Sequence, residues 1–496
     1  MTACLHRARA CGFALAAALF ASCSNEPEAD PVGRVLVVGA DGLEWSVLRP
    51  LLAQGKCPNL RALMERGSFG HLGTMTPTLS PILWTTIATG RMPADHGIQG
   101  FTDSETQQYT SASRRVRAVW NVTTVHEVPT NVFGWWITWP AEEICGTMVS
   151  GASATALVDM NWKPSILPEV DGQVFPASAS AEVLEIVRRA SSDESVEALA
   201  RRIFTARDAD LGPKERELVQ QTLWSVAADA SYAAVANEMM RRHPAQLNLV
   251  YFGGTDVVAH RFWRYYEPEA FAWPARADTE ERWQEAAPGS KPLAELLGNA
   301  TAAEALASAI PNYCEWFDEL LGGLIEAAGP DANVLLVSDH GFRAFSTDKP
   351  NAKLITGHHL DGPPGVIVAA GPAFARQGGV DAFVASNGIA PCGNVLAIAP
   401  TLLALMGIPS SREMPERALA TILAGKAHDH GALPPVATHD RGFRPAKKLP
   451  ISPAMERAFQ ERFGSLGYIG LDGAEVDRPK LVDPKRFDPN AKQDGE

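Results

Sequence analysis

The sequence predicts an α/β fold with a mostly parallel central sheet flanked by helices, and three apolar runs that each end in metal-binding side chains predict it. Leu247 to Phe252 and Val334 to Val337 read as strands buried on both faces, the pattern of a parallel sheet. Thr255-Asp256-Val257-Val258-Ala259-His260 follows the first and Ser338-Asp339-His340-Gly341-Phe342 the second. A third run, Arg34 to Gly39, ends in Asp41, with Gly42 permitting a tight turn. Open α/β sheets collect ligands at the carboxyl ends of their strands, so these exits imply one shared site.

Each element carries its own chemistry. Asp256 and His260 stand four residues apart and share a helical face if Thr255 caps the turn, which lets both reach one cation. The adjacent Asp339 and His340 require a loop instead, and Asp41 is a third candidate ligand. Carboxylate oxygen mixed with imidazole nitrogen suits zinc, with manganese or iron as alternatives, whereas calcium prefers oxygen alone. Upstream, Pro77 to Gly90 predicts a helix with Ser80 as N-cap, Pro81 at the first helical position and Gly90 at the end. A serine hydroxyl is a poor nucleophile when free, but a cation and the positive end of a helix stabilise its alkoxide without a general base.

In this order the motifs VLVVGADG, CPNLRALMERG, TPTLSPILWTTIATGRMPADHGI, GTDVVAHRFW, VLLVSDHGF, a histidine before PPGVIVAAGP, and IAPTLLALMGIP resemble the alkaline phosphatase superfamily. The resemblance is strongest to its type I phosphodiesterase/nucleotide pyrophosphatase branch and spans roughly residues 33 to 425. It implies an alkaline phosphatase-like core and two divalent metal ions. Asp41, Ser80, Asp339 and His340 fall where the family binds one metal, with Ser80 at the nucleophile position. Asp256, His260 and a late histidine fall where it binds the other. Gly357-His358-His359-Leu360 offers two candidates for that histidine, and the Gly-x-His pattern favours His359. His96 also matches and takes a structural place in a loop near the site.

Three departures qualify the resemblance. Serine stands where nucleotide pyrophosphatases usually carry threonine, and their phosphate-contacting asparagine is missing near Gln99-Gly100-Phe101. Sulfatase maturation needs Cys or Ser followed by x-Pro-x-Arg, whereas this chain reads Ser80-Pro81-Ile82-Leu83-Trp84. The basic run Arg114, Arg115 and Arg117 reads as a solvated face and is left out of the site.

The ends predict the address of the chain. His6, Arg7 and Arg9 precede an apolar Gly12 to Ala21 segment, too short for a spanning helix and therefore an export signal. Phe20-Ala21-Ser22-Cys23 is similar to a lipobox, so residues 1–22 read as a lipoprotein signal peptide, Cys23 as the lipidated residue and residues 23–32 as a tether. Ser24 after the cysteine favours an outer-membrane or periplasmic location. Cys57, Cys145, Cys314 and Cys392 remain, enough for two disulfides or four free thiols, and without a C-x-x-C pair.

With 496 residues and 46% hydrophobic content the core is large. Because the site draws on positions 41 to 359, one catalytic domain spans residues 33–425, with cap or lid insertions at about 159–223 and 267–301. Residues 426–496 form a C-terminal extension whose charged tail from Asp472 reads as disordered. A net charge of −13 disfavours nucleic-acid duplex binding and repels phosphate-bearing substrates at long range, an effect two cations reverse locally.

The expectation is an exported, lipid-anchored two-metal phosphohydrolase acting through a phosphoserine at Ser80. It leans towards phosphodiesters or nucleotide pyrophosphates, with phosphomonoesterase, phosphonate hydrolase and lipid-headgroup phosphotransferase as alternatives. A non-enzymatic alternative is a surface binding protein on the same fold; its intact ligand positions count against it. Histidine ligands bind when neutral, so activity should fall in acid.

Overall fold

The computed structural model describes residues 31–102, 109–151, 170–205, 211–268, 304–344, 356–386, 388, 390–453 and 480–482. Their centre is β1 (Val35–Ala40), whose side chains are buried on both faces. Val35 and Val37 enter one hydrophobic core, while Leu36, Val38 and Ala40 enter the other. This alternation explains why the strand reads as an unbroken apolar run.

β1 pairs in parallel with β7 (Leu247–Phe252) on one side and with β8 (Asn333–Val337) on the other. The register sets Ala40 opposite Phe252 and Gly39 opposite Val337, so the three strands finish along one edge. Beyond β7 lie β4 (Thr130–Phe133), β5 (Met148–Val149) and β6 (Val174–Phe175). Beyond β8 lie β11 (Gly365–Ala370), β2 (Gly67–Gly73) and β12 (Pro391–Asn394), completing nine strands among the described residues. β11 runs antiparallel to both of its neighbours and β6 antiparallel to β5, while the remaining pairs are parallel.

Helices cover both faces. α1 (Trp45–Ala53), α2 (Pro58–Glu65), α6 (Leu223–Arg242), α7 (Gly254–Tyr266) and α8 (Ala309–Ala328) bury residues in the core on the Leu36 side. α3 (Ser80–Thr89) and α9 (Ile398–Leu405) lie on the Val35 side. Residues 174–204, expected to serve as cap material, supply edge strand β6 and two helices. These are α4 (Ser180–Ala190) and α5 (Asp193–Phe204), which bury Val183, Ile186, Val187, Val196, Ile203 and Phe204 in the same core as α6 and α8. The 267–301 insertion falls almost wholly outside the described residues, as do the signal peptide and Cys23.

Several local expectations shift. Leu79, not Ser80, has the extended N-cap conformation of α3, so Ser80 opens the helix, and Gly90 closes it at φ 63°. Gly253, not Thr255, is the N-cap of α7. The Thr255 hydroxyl instead donates to the Asp41 carbonyl. In the C-terminal tail, Lys480–Leu481 forms strand β13, antiparallel to β3 (Met75–Thr76), and the Val482 amide donates to the Thr74 carbonyl. Among the described residues β3 pairs with no other strand, so its backbone groups supply the ladder that charge and proline content conceal. Cys57, Cys145, Cys314 and Cys392 are all free thiols.

The basic run is not a solvated face throughout. The Arg114 side chain is 1% exposed, paired with Glu142 at 2.6 Å and set over the Trp120 ring. It also donates to the Val116 carbonyl and to Asn121, so a charge that pattern places outside has its acceptors inside. No helix among the described residues is long and apolar enough to cross a membrane.

Candidate active site

The shared edge of β8, β1 and β7 delivers Asp41, Asp339, His340, Asp256 and His260 into two triads, the second completed by His359. Asp41 follows β1 directly, and Asp339 and His340 follow β8 after Ser338. His340 Nε2 lies 3.2 Å from Asp41 Oδ1 and 3.6 Å from Asp339 Oδ2. The loop is fixed by its own bonds, since the Ser338 hydroxyl accepts from the Leu43 amide and donates to the His340 carbonyl. Glu44 spans the same two loops, capping α1 through the Ser46 amide and accepting from the Phe342 amide.

The second triad joins Asp256 and His260, one turn apart on α7, to His359, which follows the short strand β10 (Gly357–His358). β10 pairs with β9 (Arg343–Ala344). Asp256 Oδ1 lies 3.4 Å from His260 Nε2 and 3.7 Å from His359 Nε2, and the two imidazole nitrogens stand 3.2 Å apart. The structure brings His359 to this cluster and leaves His358 half-buried on β10. The clusters adjoin, with the His340 and His359 rings stacked at 3.8 Å between centroids and 16° between planes.

Ser80 is 4% exposed and sits between anchors to both triads. Thr78, two residues before it, donates to the His359 carbonyl at 2.6 Å. Trp84, one helical turn after it, donates its indole N–H to Asp41 Oδ2 at 3.0 Å. His96 plays the structural part expected of it. Its Nδ1 accepts from the Ile98 amide, leaving Nε2–H for the Thr86 hydroxyl on α3, and burial pushes its pKa down to about 3.

The donor sets fit cations. Asp41 Oδ1, Asp339 Oδ2, His340 Nε2 and Asp256 Oδ1 are buried without a hydrogen-bond partner, a costly state for polar atoms that converge. His260 Nδ1 lies 2.8 Å from the Gly357 carbonyl and His340 Nδ1 3.1 Å from the Gly341 carbonyl. Those bonds take the Nδ1 proton and turn Nε2, the atom a metal would take, towards the carboxylates. Burial pushes His260 down to about 3 and holds His359 well below its ordinary value. Asp256 and Asp339 are raised well above theirs by burial and then by the charge of Asp41. Burial also acts on Asp41, but the neighbouring His340 ring and the Tyr251 hydroxyl outweigh it and hold that carboxyl below its usual range.

Tyr251 and Trp84 escape the sequence reading. The Tyr251 hydroxyl donates to Asp41 Oδ2 at 2.6 Å, so both protein donors meet one oxygen and the other faces the triad. The available signal is a hydroxyl-bearing side chain in the otherwise apolar end of β7.

Comparison with known proteins gives this geometry its class, that of hydrolases acting on phosphate esters. The sequence profile of the type I phosphodiesterase / nucleotide pyrophosphatase family matches residues 35–374, and the chain belongs to that family. Among solved structures it is similar to human ectonucleotide pyrophosphatase / phosphodiesterase 5, at 14% identity over 79% of this chain and 100% of the other, with TM-score 0.40. It is similar also to a putative sulfatase from Bacteroides thetaiotaomicron, at 13% identity over 82% and 76% of the two chains, TM-score 0.46. Phosphonoacetate hydrolase from Sinorhizobium meliloti matches at 15% identity over 64% and 58%, TM-score 0.35. No curated protein matches the sequence at a significant level.

Proposed function

We propose that the chain is a two-metal phosphodiesterase that cleaves through a phosphoserine at Ser80. The observation that carries this reading is the position of Ser80 at the start of α3, with Thr78 tied to one triad and Trp84 to the other. Asp41, Asp339 and His340 would hold one divalent cation and Asp256, His260 and His359 the second, zinc being the best match to the donors. Bound there, the cations would supply Lewis-acid charge that eases ionisation of the serine and neutralises phosphate oxygens.

The chain's own residues do the rest. Tyr251 and Trp84 aim Asp41 through their bonds to its Oδ2, and the first turn of α3 presents Ser80 with backbone amides that favour an anion. The serine oxygen bonds to phosphorus as one ester P–O bond breaks, the departing alcohol ends with the serine proton, and water later releases the remaining phosphate monoester and restores the hydroxyl. Leu79 and Val257, neighbours of Ser80 and Asp256, share an apolar cluster with Ile82, Phe101 and Trp224. An apolar wall beside the serine favours a diester with an aromatic or apolar group over a free monoester dianion.

The test uses bis(p-nitrophenyl) phosphate with zinc-loaded full-length protein, quenched in acid during turnover. Phosphate, or its nitrophenyl ester, should appear on the Ser80 peptide by mass spectrometry and be absent from Ser80→Ala. Turnover by Ser80→Ala at the wild-type rate would show that water attacks directly.

A further inference from the structure

Helix α7 carries two of the proposed ligands but has no side chain of its own to cap its amino end, because its N-cap is Gly253. Asp229, in the second turn of α6, meets the free amides instead. Its Oδ1 accepts from the Gly253 amide at 3.2 Å, and its Oδ2 from the Gly254 amide at 3.0 Å and the Tyr313 hydroxyl of α8 at 2.7 Å. Asp229 is 2% exposed and Tyr313 1%. Gly254 makes the approach possible, since a Cβ there would lie 1.8 Å from the Tyr313 oxygen and 2.7 Å from Asp229 Oδ2.

A buried carboxylate away from the triads is costly and would be replaced by an apolar side chain at little loss if it served packing alone. Burial pushes Asp229 up to about 7 against the bonds from Tyr313 and the two amides. What those bonds secure is position. Asp256 is the third residue of α7 and His260 lies one turn further, so the placement of the first turn sets where both ligand atoms sit. The two amides and the tyrosine tie that turn to α6 and α8.

We infer that Asp229, supported by Tyr313, is a positioning residue for the Asp256–His260–His359 cluster, holding α7 where its two ligands meet the third. The inference rests on reading that cluster as a metal site. Groups that orient metal ligands typically contribute roughly 10- to 100-fold in affinity, and here the effect falls on one ion only.

The experiment is zinc titration of full-length wild type, Asp229→Asn and Tyr313→Phe against a chromogenic chelator, with melting temperatures of the metal-free proteins. Wild type should bind two ions. In each variant one ion should weaken roughly 10- to 100-fold, with the smaller loss in Tyr313→Phe, while the other binds as before. In a His359→Ala background, where this cluster is already broken, Asp229→Asn should leave the remaining ion unchanged. Two ions bound with wild-type affinity in both variants would overturn the inference and spare the two-metal reading. Equal weakening of both ions with a lowered melting temperature, or an added loss in the His359→Ala background, would make Asp229 a scaffold residue and overturn it as well. Wild type that binds no zinc would remove the metal site itself and the inference with it.

Discussion

The two triads use the same donor types but rest on different supports. The Asp41–Asp339–His340 set grows directly from neighbouring strands of the sheet centre, and both donors to Asp41 Oδ2 come from rigid elements, β7 and α3. The Asp256–His260–His359 set combines one helix with a loop residue, and that helix is held at its amino end by a carboxylate from another helix. A ligand at a strand end inherits its position from the ladder. A ligand on a helix needs its helix placed, and a loop ligand needs an anchor, here the bond from Thr78 to the His359 carbonyl.

Removing a ligand breaks the comparison most sharply. His359→Ala and Asp339→Asn should each cost one bound zinc of a different cluster and lower turnover by several orders of magnitude, whereas His358→Ala should keep both ions and most activity. Elemental analysis beside diesterase assays checks this, and an inactive His358→Ala with an active His359→Ala would move the ligand by one residue.

Proton release sharpens it next. Burial and then the charge of Asp41 raise the Asp256 and Asp339 carboxyls well above their ordinary range, so protons compete with a cation for both, whereas burial pushes His260 down to about 3. A cation must displace those carboxyl protons, so affinity rises with pH up to the raised carboxyl range and is lost as pH falls. The expected slope is about tenfold per pH unit for each cluster. Calorimetric zinc titrations in buffers of different ionisation enthalpy should report net proton release on binding. Binding heats independent of buffer would show that the carboxylates are already ionised.

The smallest effect separates the supports themselves. Tyr251→Phe removes one of the two donors to Asp41 and should weaken only the ion of the first triad, by roughly tenfold. Chelator titration giving a loss at the second triad instead would reverse the assignment of supports.

How much of this site the sequence discloses depends on how far apart the partners lie. Asp41, Asp256 and Asp339 each follow a strand pattern within a few residues, so local reading finds them and the sheet register then joins them. Ser80 is found as a helix start but misplaced by one position, because the N-cap is defined by backbone angles and Leu79 has the extended ones. Thr255 looks like a cap and is a bridge to the Asp41 carbonyl, a contact that exists only because β1 pairs with β7. Tyr251, Trp84 and Asp229 are illegible for the same reason, since nothing near them in the chain names their acceptor or donor. Arg114 finds its buried carboxylate in Glu142, and the charged tail places Lys480–Leu481 on the ladder of β3, so charge patterning alone misreads both.

The central place of β1 also governs how the chain acquires its fold. Val35 sits opposite Leu247 on one side and Asn333 on the other, so the first strand of the sheet waits for two of the later ones. Pairings of such long sequence separation close large loops before any contact compensates the lost entropy, and they slow folding. Until β8 has been synthesised, β1 offers one open ladder of amides and carbonyls along an apolar strand, the kind of edge on which chains associate with one another. A chain shortened before Asn333 therefore lacks more than Asp339 and His340: it leaves the middle of its sheet as an exposed edge.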